Sequence, residues 1–247
     1  MISFLVITFA GLAAGALNAV AGGGTFISFP ALVWLGVPPV MANATATLSA
    51  LPGYASSTWA FRHDMNSEGT LGLGTMSVLA ALGGLVGAGL LMITPGKVFA
   101  GVVPWLLLVA TVLFAIGPRL IPALGRSGQL GAASSAVILI LVSVYGGYFN
   151  GGLGILLLAV FGLMGFVDLH GMNGMKTALS TILAAVSALA YATAGLIAWD
   201  AALLLAISTA VGGYLGGRYS RRIRNTTMLR HLIVAVGIAM TLAFFVL

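Results

Sequence analysis

Two stretches of the chain decide its fold: NAVAGGGTFISFPALVWLG at residues 18–36 and NGGLGILLLAVFGLMG at residues 150–165. In each stretch, an asparagine and a cluster of glycines interrupt an apolar run. A second apolar segment rich in Asn, Ser and Thr follows each of them. Glycine breaks at corresponding places in two halves of a hydrophobic chain indicate where a membrane transporter binds its solute. We therefore read the chain as a duplicated membrane protein.

Composition supports a membrane environment. Hydrophobic residues make up 60% of the 247 positions and charged residues only 6%, whereas soluble domains carry about 25% charge. Apolar runs such as 71–93 and 98–116 are close to the roughly 20 residues that a spanning helix needs. Residues 1–17 are read as a retained first helix, not a cleaved signal. The predicted fold class is all-α: a polytopic transmembrane helix bundle built from two inverted-topology repeats with broken or re-entrant helices.

Ten apolar segments are the predicted helices. Segments 25–36 and 153–166 are too short to span comfortably at 1.5 Å per residue, so they either cross or turn back inside the bilayer. In both cases each half makes an odd number of net crossings, which inverts the second half. The predicted segments are 2–17, 25–36, 41–61, 70–93, 98–116, 131–149, 153–166, 172–194, 200–217 and 231–247. The predicted domains are an N-terminal repeat (1–117), a cytoplasmic linker (118–130) and a C-terminal repeat (131–247).

Loop charge predicts the orientation. Half of the basic residues lie between Arg218 and Arg230, and the side of the membrane with more Lys and Arg is normally cytoplasmic. With that loop inside, only Lys97 among the basic residues falls outside, and both termini lie on the non-cytoplasmic side. We expect a multi-pass protein of the cell inner (cytoplasmic) membrane.

The two glycine breaks are the first part of the predicted binding site. A helix that begins inside the membrane points free N–H groups and a positive dipole end at its surroundings, which suits an anion. Glycine lets a ligand approach the backbone, and Asn18 is expected to cap the end of the first helix. The alternative is a packing kink. The predicted substrate-binding residues here are Asn18, Gly22, Gly23, Gly24, Thr25, Asn150, Gly151, Gly152 and Gly154.

Two polar stripes form the second part of the site. Asn43 and Thr47 are four residues apart and share a helix face, as do Asn173 and Thr177. Their amides and hydroxyls can donate hydrogen bonds to an oxyanion, or instead bond to neighbouring helices and to their own helix backbone. Lys176 is a lone cation within the second stripe, either facing a cavity or extending to the membrane interface. The predicted binding residues here are Asn43, Thr47, Asn173, Lys176 and Thr177.

The remaining motifs have structural interpretations. GGLVGAG (83–89) and GGYLGGR (212–218) occupy matching places and indicate close helix packing. His63 and His170 lie near Asp64 and Asp168 in predicted cytoplasmic loops, where solvated charge is the commoner explanation than proton transfer. Asp200 is expected to cap a helix that begins at Ala201. No catalytic residue, metal site or cofactor is predicted.

The same residues resemble the sulfite exporter TauE/SafE family of membrane anion permeases. The resemblance rests on GLAAGALNAVAGGGTFISFPAL (11–32), GVPPVMANAT (36–45), GGYFNGGLGILLL (146–158) and GLIAWDAALLLAISTAVGGYLGGRYSRRI (195–223). It covers nearly the whole chain, although the second cluster reads GGLG and Pro30 has no counterpart there. The resemblance implies transport of sulfite, sulfonates such as sulfoacetate, or related anions.

The predicted function is a secondary transporter that moves a small anion across the cytoplasmic membrane by alternating access. An anion channel with the same lining is the alternative, and an integral membrane enzyme is a remote one that would need clustered acids, a metal triad or an activated nucleophile. The expected partners are a small anionic substrate and the lipid bilayer, with no nucleic acid. A coupling proton or ion and a homodimer remain open.

Overall fold

The structure is a computed structural model in which residues 2–65, 69–125, 130–220 and 226–246 are described. These residues form helices and no strand. The helices are α1 (Ile2–Val20), α2 (Thr25–Trp34), α3 (Pro39–Phe61), α4 (Leu73–Ile93), α5 (Gly96–Gly125), α6 (Ala132–Tyr148), α7 (Leu153–Leu163), α8 (Leu169–Thr193), α9 (Trp199–Tyr219) and α10 (Thr226–Val246). Each of the ten predicted segments corresponds to one helix, and the predicted all-α fold is confirmed.

Five of these helices are long and apolar enough to cross a membrane: α1, α4, α8, α9 and the Gly96–Leu113 part of α5. Their outer faces carry large exposed apolar side chains, for example Leu82 and Leu85 on α4 and Leu203 and Ile207 on α9. Contiguous apolar surface of this kind is rare in water and is what lipid solvates. The short helices α2 and α7 have 10 and 11 residues, about half the roughly 20 that a span needs.

Each half of the chain contributes one helix that packs on two helices of the other half. Helix α9 packs on α1 and α3, and helix α4 packs in the same way on α6 and α8. Helices α5 and α10 pack on each other, as do α3 and α8. When α1–α5 are matched in order with α6–α10, each of these contacts has its counterpart in the other half. In the group formed by α1, α3 and α9, helix α9 therefore comes from the second half of the sequence. In the group formed by α4, α6 and α8, helix α4 comes from the first half.

The equivalent helices α3 and α8 run antiparallel. A Cβ atom on Gly171, near the start of α8, would lie 3.0 Å from the carbonyl oxygen of Asp64, just past the end of α3. At the opposite end, the N–H of Ala198, beyond α8, donates to Thr45 Oγ1 near the start of α3 at 2.9 Å. Opposite directions for equivalent helices are the relation that inverted repeats predict.

Helix α8 begins earlier than the apolar pattern suggests. Asp168 is its N-cap, and its carboxylate accepts hydrogen bonds from the N–H groups of His170 at 3.1 Å and Gly171 at 2.9 Å. Such caps satisfy the free donors of a first turn, so the helix starts at Leu169 instead of 172. His170 consequently lies in the first helical turn, not in a loop.

Other boundaries also differ from the predicted ones; α10, for example, begins at Thr226 and not at 231. Helix α9 begins at Trp199, so Asp200 lies inside its first turn and the expectation that it caps the helix is wrong. The N–H of Ala198 is bound by Thr45 from α3 instead. Helix α5 continues to Gly125, so the backbone of the predicted linker 118–130 is helical over its first part. Apolar patterns mark where lipid contact ends, while the backbone helix continues until its hydrogen bonds are replaced.

Glycines bring the exchanged helices into backbone contact. A Cβ atom on Gly87 of α4 would overlap the carbonyl oxygen of Val144 on α6, and one on Gly212 of α9 would overlap the carbonyl oxygen of Leu12 on α1. Small residues at membrane helix interfaces allow this approach. The packing interpretation of residues 83–89 and 212–218 agrees with these contacts.

Gly89 provides a matched control on the same helix, because nothing lies within 4 Å of a Cβ atom added there. We expect Gly87→Ala to destabilise the fold by about 1–3 kcal/mol through overpacking. Gly89→Ala should be neutral or stabilising by up to about 1 kcal/mol, because alanine is the better helix former. Thermal unfolding of the two variants in detergent measures the difference, and equal effects would contradict the close α4–α6 contact.

Candidate functional site

Both predicted breaks contain the same backbone turn. The first break separates α1 from α2, and the second separates α6 from α7. Gly22 in the first has φ +82°, and Gly152 in the second has φ +79°. This left-handed conformation is one that glycine adopts without a steric penalty. The spacing from Gly22 to Gly152 equals the spacing from Asn43 to Asn173, so breaks and stripes keep one register.

The two breaks meet in the structure. A Cβ atom on Gly22 would lie 2.6 Å from Gly154 Cα, and one on Gly154 would lie 2.5 Å from Gly22 Cα. The backbones therefore touch where no side chain separates them. Gly23 and Thr25 in the first break and Gly151 in the second are buried as well. The two helix breaks thus form one buried centre between the halves of the chain.

Asn18 forms a hydrogen bond across the first break. Its Oδ1 accepts a hydrogen bond from the N–H of Gly24, the N-cap residue of α2, at 2.7 Å. The prediction was instead that Asn18 caps the end of α1. A Cβ atom on Gly24 would lie 2.6 Å from this side-chain amide, which is why glycine is needed there. One of the N–H groups expected to face an anion is therefore already bound.

The second break leaves a donor without a partner. Asn150 is buried, and its Oδ1 accepts a hydrogen bond from the hydroxyl of Tyr54 on α3 at 3.2 Å. Its Nδ2 is buried without a hydrogen-bond partner among the described residues. No side chain caps the start of α7. In the first turn of α7, the N–H groups of Leu153 and Ile155 donate to the carbonyl oxygens of Asn150 and Gly152. The Asn150 amide is therefore the buried side-chain donor without a partner at this break, among the described residues.

Asn43 joins the first stripe to the second break. Its Nδ2 donates to the carbonyl oxygen of Tyr148, the last residue of α6, at 2.9 Å. Its Oδ1 is buried and has no partner in the described part of the chain. The amide orientation follows from chemistry, since a backbone carbonyl only accepts and the NH₂ group must face it.

Lys176 joins the second stripe to the first break. Its ammonium donates to Asn173 Oδ1 at 2.7 Å and to the carbonyl oxygen of Ala19, in the last turn of α1, at 3.3 Å. The residue is only 1% exposed, so it does not extend to the membrane interface. A cation at a helix C-terminus is favoured by the helix dipole. An ammonium has three donors, and two acceptors are found within the described chain.

The two threonines of the stripes bond to their own helices. Thr47 Oγ1 donates to the carbonyl oxygen of Asn43 at 2.9 Å, and Thr177 Oγ1 donates to that of Asn173 at 3.1 Å. Each hydroxyl has one hydrogen, and here the helix backbone accepts it. The alternative of back-bonding therefore describes both threonines, although their positions remain matched.

Sequence reasoning missed the tyrosines that hold the second break. Tyr145 donates to the carbonyl oxygen of Gly151 at 2.6 Å, Tyr191 donates to that of Gly147, and Tyr54 binds Asn150. A tyrosine in an apolar segment needs a partner for its hydroxyl, and that rule was the signal available. Ser180, one turn after Lys176 on α8, has a buried hydroxyl without a partner among the described residues.

Comparison with known proteins fits this arrangement. A bundle of apolar helices with two broken helices meeting at a polar buried centre defines a membrane transporter. The chain belongs to the family described as "Sulfite exporter TauE/SafE", whose model matches residues 7–244. It is thus a multi-pass membrane transporter and not an enzyme.

Three relatives named as probable membrane transporters match this chain over most of their length. "Probable membrane transporter protein ORF9" of Sinorhizobium sp is 28% identical, over 98% of this chain and 91% of the relative. A "Probable membrane transporter protein" of Haemophilus influenzae is 27% identical, over 97% and 94%. "Probable membrane transporter protein YfcA" of Escherichia coli is 27% identical, over 96% and 87%.

Gly36 is a matched control for the contact between the breaks. Its φ is +88°, and nothing lies within 4 Å of a Cβ atom added there. Gly36→Ala should therefore destabilise the fold only by the left-handed penalty of about 1–2 kcal/mol. Gly22→Ala should add about 1–3 kcal/mol, because its methyl group overlaps Gly154. Thermal unfolding measures both, and equal losses would mean that the breaks do not touch.

Proposed function

We propose that the transported solute is a small oxyanion, sulfite or an organosulfonate, and that it binds where the two breaks meet. The observation that supports this most directly is the set of buried donors around the breaks. Asn150 Nδ2 has no partner among the described residues, and the Lys176 ammonium has a donor beyond its two acceptors. Buried polar groups are nearly always satisfied, so donors without acceptors favour a ligand that accepts.

Charge supports an anion over a neutral solute. All four acidic residues, Asp64, Glu68, Asp168 and Asp200, lie at or between helix ends in the sequence, whereas Lys176 is buried. An unpaired buried charge is strongly unfavourable, and here the dipole end of α1 and Asn173 compensate it only in part. An anion beside Lys176 would complete that compensation. The family's name supports the choice of sulfite.

Alternating access is the proposed mechanism. The moving bodies would be the two exchanged groups, α1, α3 and α9 against α4, α6 and α8, which follow the packing. The antiparallel α3 and α8 support inverted repeats, and inverted repeats allow one site to open to either side. The proposed orientation places the basic stretch from residue 218 to residue 230 on the cytoplasmic side of the inner membrane and both termini on the other side.

An anion channel is the alternative, and the buried contact of Gly22 with Gly154 favours the carrier. A channel needs a continuous wet path, whereas this contact places two backbones against each other at the centre. Flux in proteoliposomes separates the two. We expect sulfite uptake that saturates and that accelerates when unlabelled sulfite is present on the opposite side. Unitary currents driven by voltage would contradict the carrier.

Lys176→Met tests the site. Methionine keeps the length of the side chain and removes the charge. We expect sulfite binding to weaken about ten- to hundredfold, because a hydrogen bond to a charged group contributes about 1.5–3 kcal/mol. The fold should persist, since replacing a buried charge by an apolar group is often tolerated. Isothermal titration of the purified protein with sulfite measures the affinity.

Lys97→Met is the matched control, since Lys97 is exposed near the start of α5. It should leave sulfite affinity unchanged. Equal weakening in both variants would mean that net charge alone attracts the anion. Unchanged binding in Lys176→Met, with the fold intact, would place the site elsewhere.

A further inference from the structure

We propose that, of the two oxyanions named above, the site prefers sulfite in its singly protonated form, hydrogensulfite, over an organosulfonate, so that a proton crosses the membrane on the substrate itself. The inference rests on the proposed anion site and adds the protonation state of what binds there. The inference follows from one buried hydrogen-bond acceptor that lies among several buried donors. A fully ionised oxyanion only accepts hydrogen bonds, whereas a hydrogen-oxyanion also carries one O–H that donates.

The acceptor is Asn43 Oδ1. It is buried and has no donor among the described residues, and it cannot exchange places with Nδ2, because Nδ2 faces the carbonyl oxygen of Tyr148 at 2.9 Å. A ligand with no O–H would leave this oxygen desolvated and unpaired, which is unfavourable. An O–H group on the ligand satisfies it.

The acceptor lies close to the donor of the second break. Tyr148, which holds Asn43, precedes Asn150 by two residues, so their α-carbons are at most about 7.6 Å apart. Asn150 Nδ2 is the buried donor there. The proposal places one small ligand beside residues 148–150, where it donates to Asn43 and accepts from Asn150.

The distribution of acids explains why the proton would travel this way. Proton-coupled carriers commonly use a carboxylate within the membrane, and the four acidic residues of this chain lie at or between helix ends. A hydrogen-oxyanion needs no such relay. Binding one negative charge also suits the single buried ammonium of Lys176 better than binding two.

Other titratable groups near Asn43 must be separated from the ligand in any test. The helices that pack on α3, together with α6, bring Lys176, Tyr145, Tyr148 and Tyr191 into this region, and α3 itself carries Tyr54. On the same helices, His170 is half-buried at the start of α8, and the others described are exposed: Lys97, Asp200, Tyr214, Arg218 and Tyr219. A control ligand that does not titrate near neutral pH reports on all of these together.

Three probes isolate the protonation state of the ligand. Sulfite gains an O–H when it is protonated near neutral pH, methanesulfonate is a monoanion with no O–H, and sulfate is a dianion at all these values. The chain contains no cysteine, so sulfite has no thiol or disulfide to react with. Titration calorimetry over a pH series straddling the second ionisation of sulfite gives the three affinities for the detergent-solubilised protein.

The expected result is that affinity for total sulfite falls about tenfold per pH unit above that ionisation, in step with the protonated fraction. Methanesulfonate should bind about tenfold more weakly than hydrogensulfite, with no pH dependence, and sulfate more weakly still. Methanesulfonate binding as tightly as hydrogensulfite, or sulfite affinity unaffected by pH, would overturn the inference while leaving the anion site standing. No binding of any of the three would instead overturn the proposed function.

Asn43→Ala should remove the preference, bringing hydrogensulfite and methanesulfonate to within about twofold of each other. Ser49→Ala is the matched control, since Ser49 is buried on the same helix and its hydroxyl binds the carbonyl oxygen of Ala202 on α9. It should keep the preference. Preference retained in a folded Asn43→Ala would overturn the role of this oxygen, and the wild-type comparison decides the inference if that variant does not fold.

Discussion

Everything else in this structure depends on the contact between two glycine backbones, Gly22 and Gly154. Each glycine lies at a break between two helices inside an apolar bundle, where unsatisfied N–H and C=O groups are strongly unfavourable. Because the two helix breaks meet, one small set of polar side chains can bind the backbone groups of both. The contact requires glycine on both sides, because a Cβ on either residue would overlap the other's α-carbon.

The polar side chains around this contact cross between the halves. Asn43, from the first half, holds the end of α6, and Lys176, from the second half, holds the end of α1. Each break is thus anchored by a helix of the opposite half. The exchange of α4 and α9 between packed groups follows the same principle. In the proposed mechanism, a movement of one group against the other would change both anchors together.

Much of this was predictable from the sequence, because the patterns that carry it are strong. Composition fixed the membrane class, and the two glycine clusters marked the breaks correctly. The helix ends were less predictable: a hydropathy pattern does not register Asp168 as a cap or the continuation of α5. The partners of individual polar groups were not predictable either. The bonds of Tyr54 to Asn150 and of Tyr191 to Gly147 depend on which helices pack together, and sequence spacing does not contain that information. The bond between Asn18 and Gly24 depends on the turn between α1 and α2.

The remaining question is whether an oxyanion occupies the centre where the breaks meet. Selenite has the shape and charge of sulfite and scatters X-rays anomalously, so it can be located in crystals of the protein. The account predicts an anomalous peak within hydrogen-bonding distance of Asn150 Nδ2 and the Lys176 ammonium, beside the Gly22–Gly154 contact. A selenite peak away from both breaks, in crystals whose binding has been verified in solution, would contradict it.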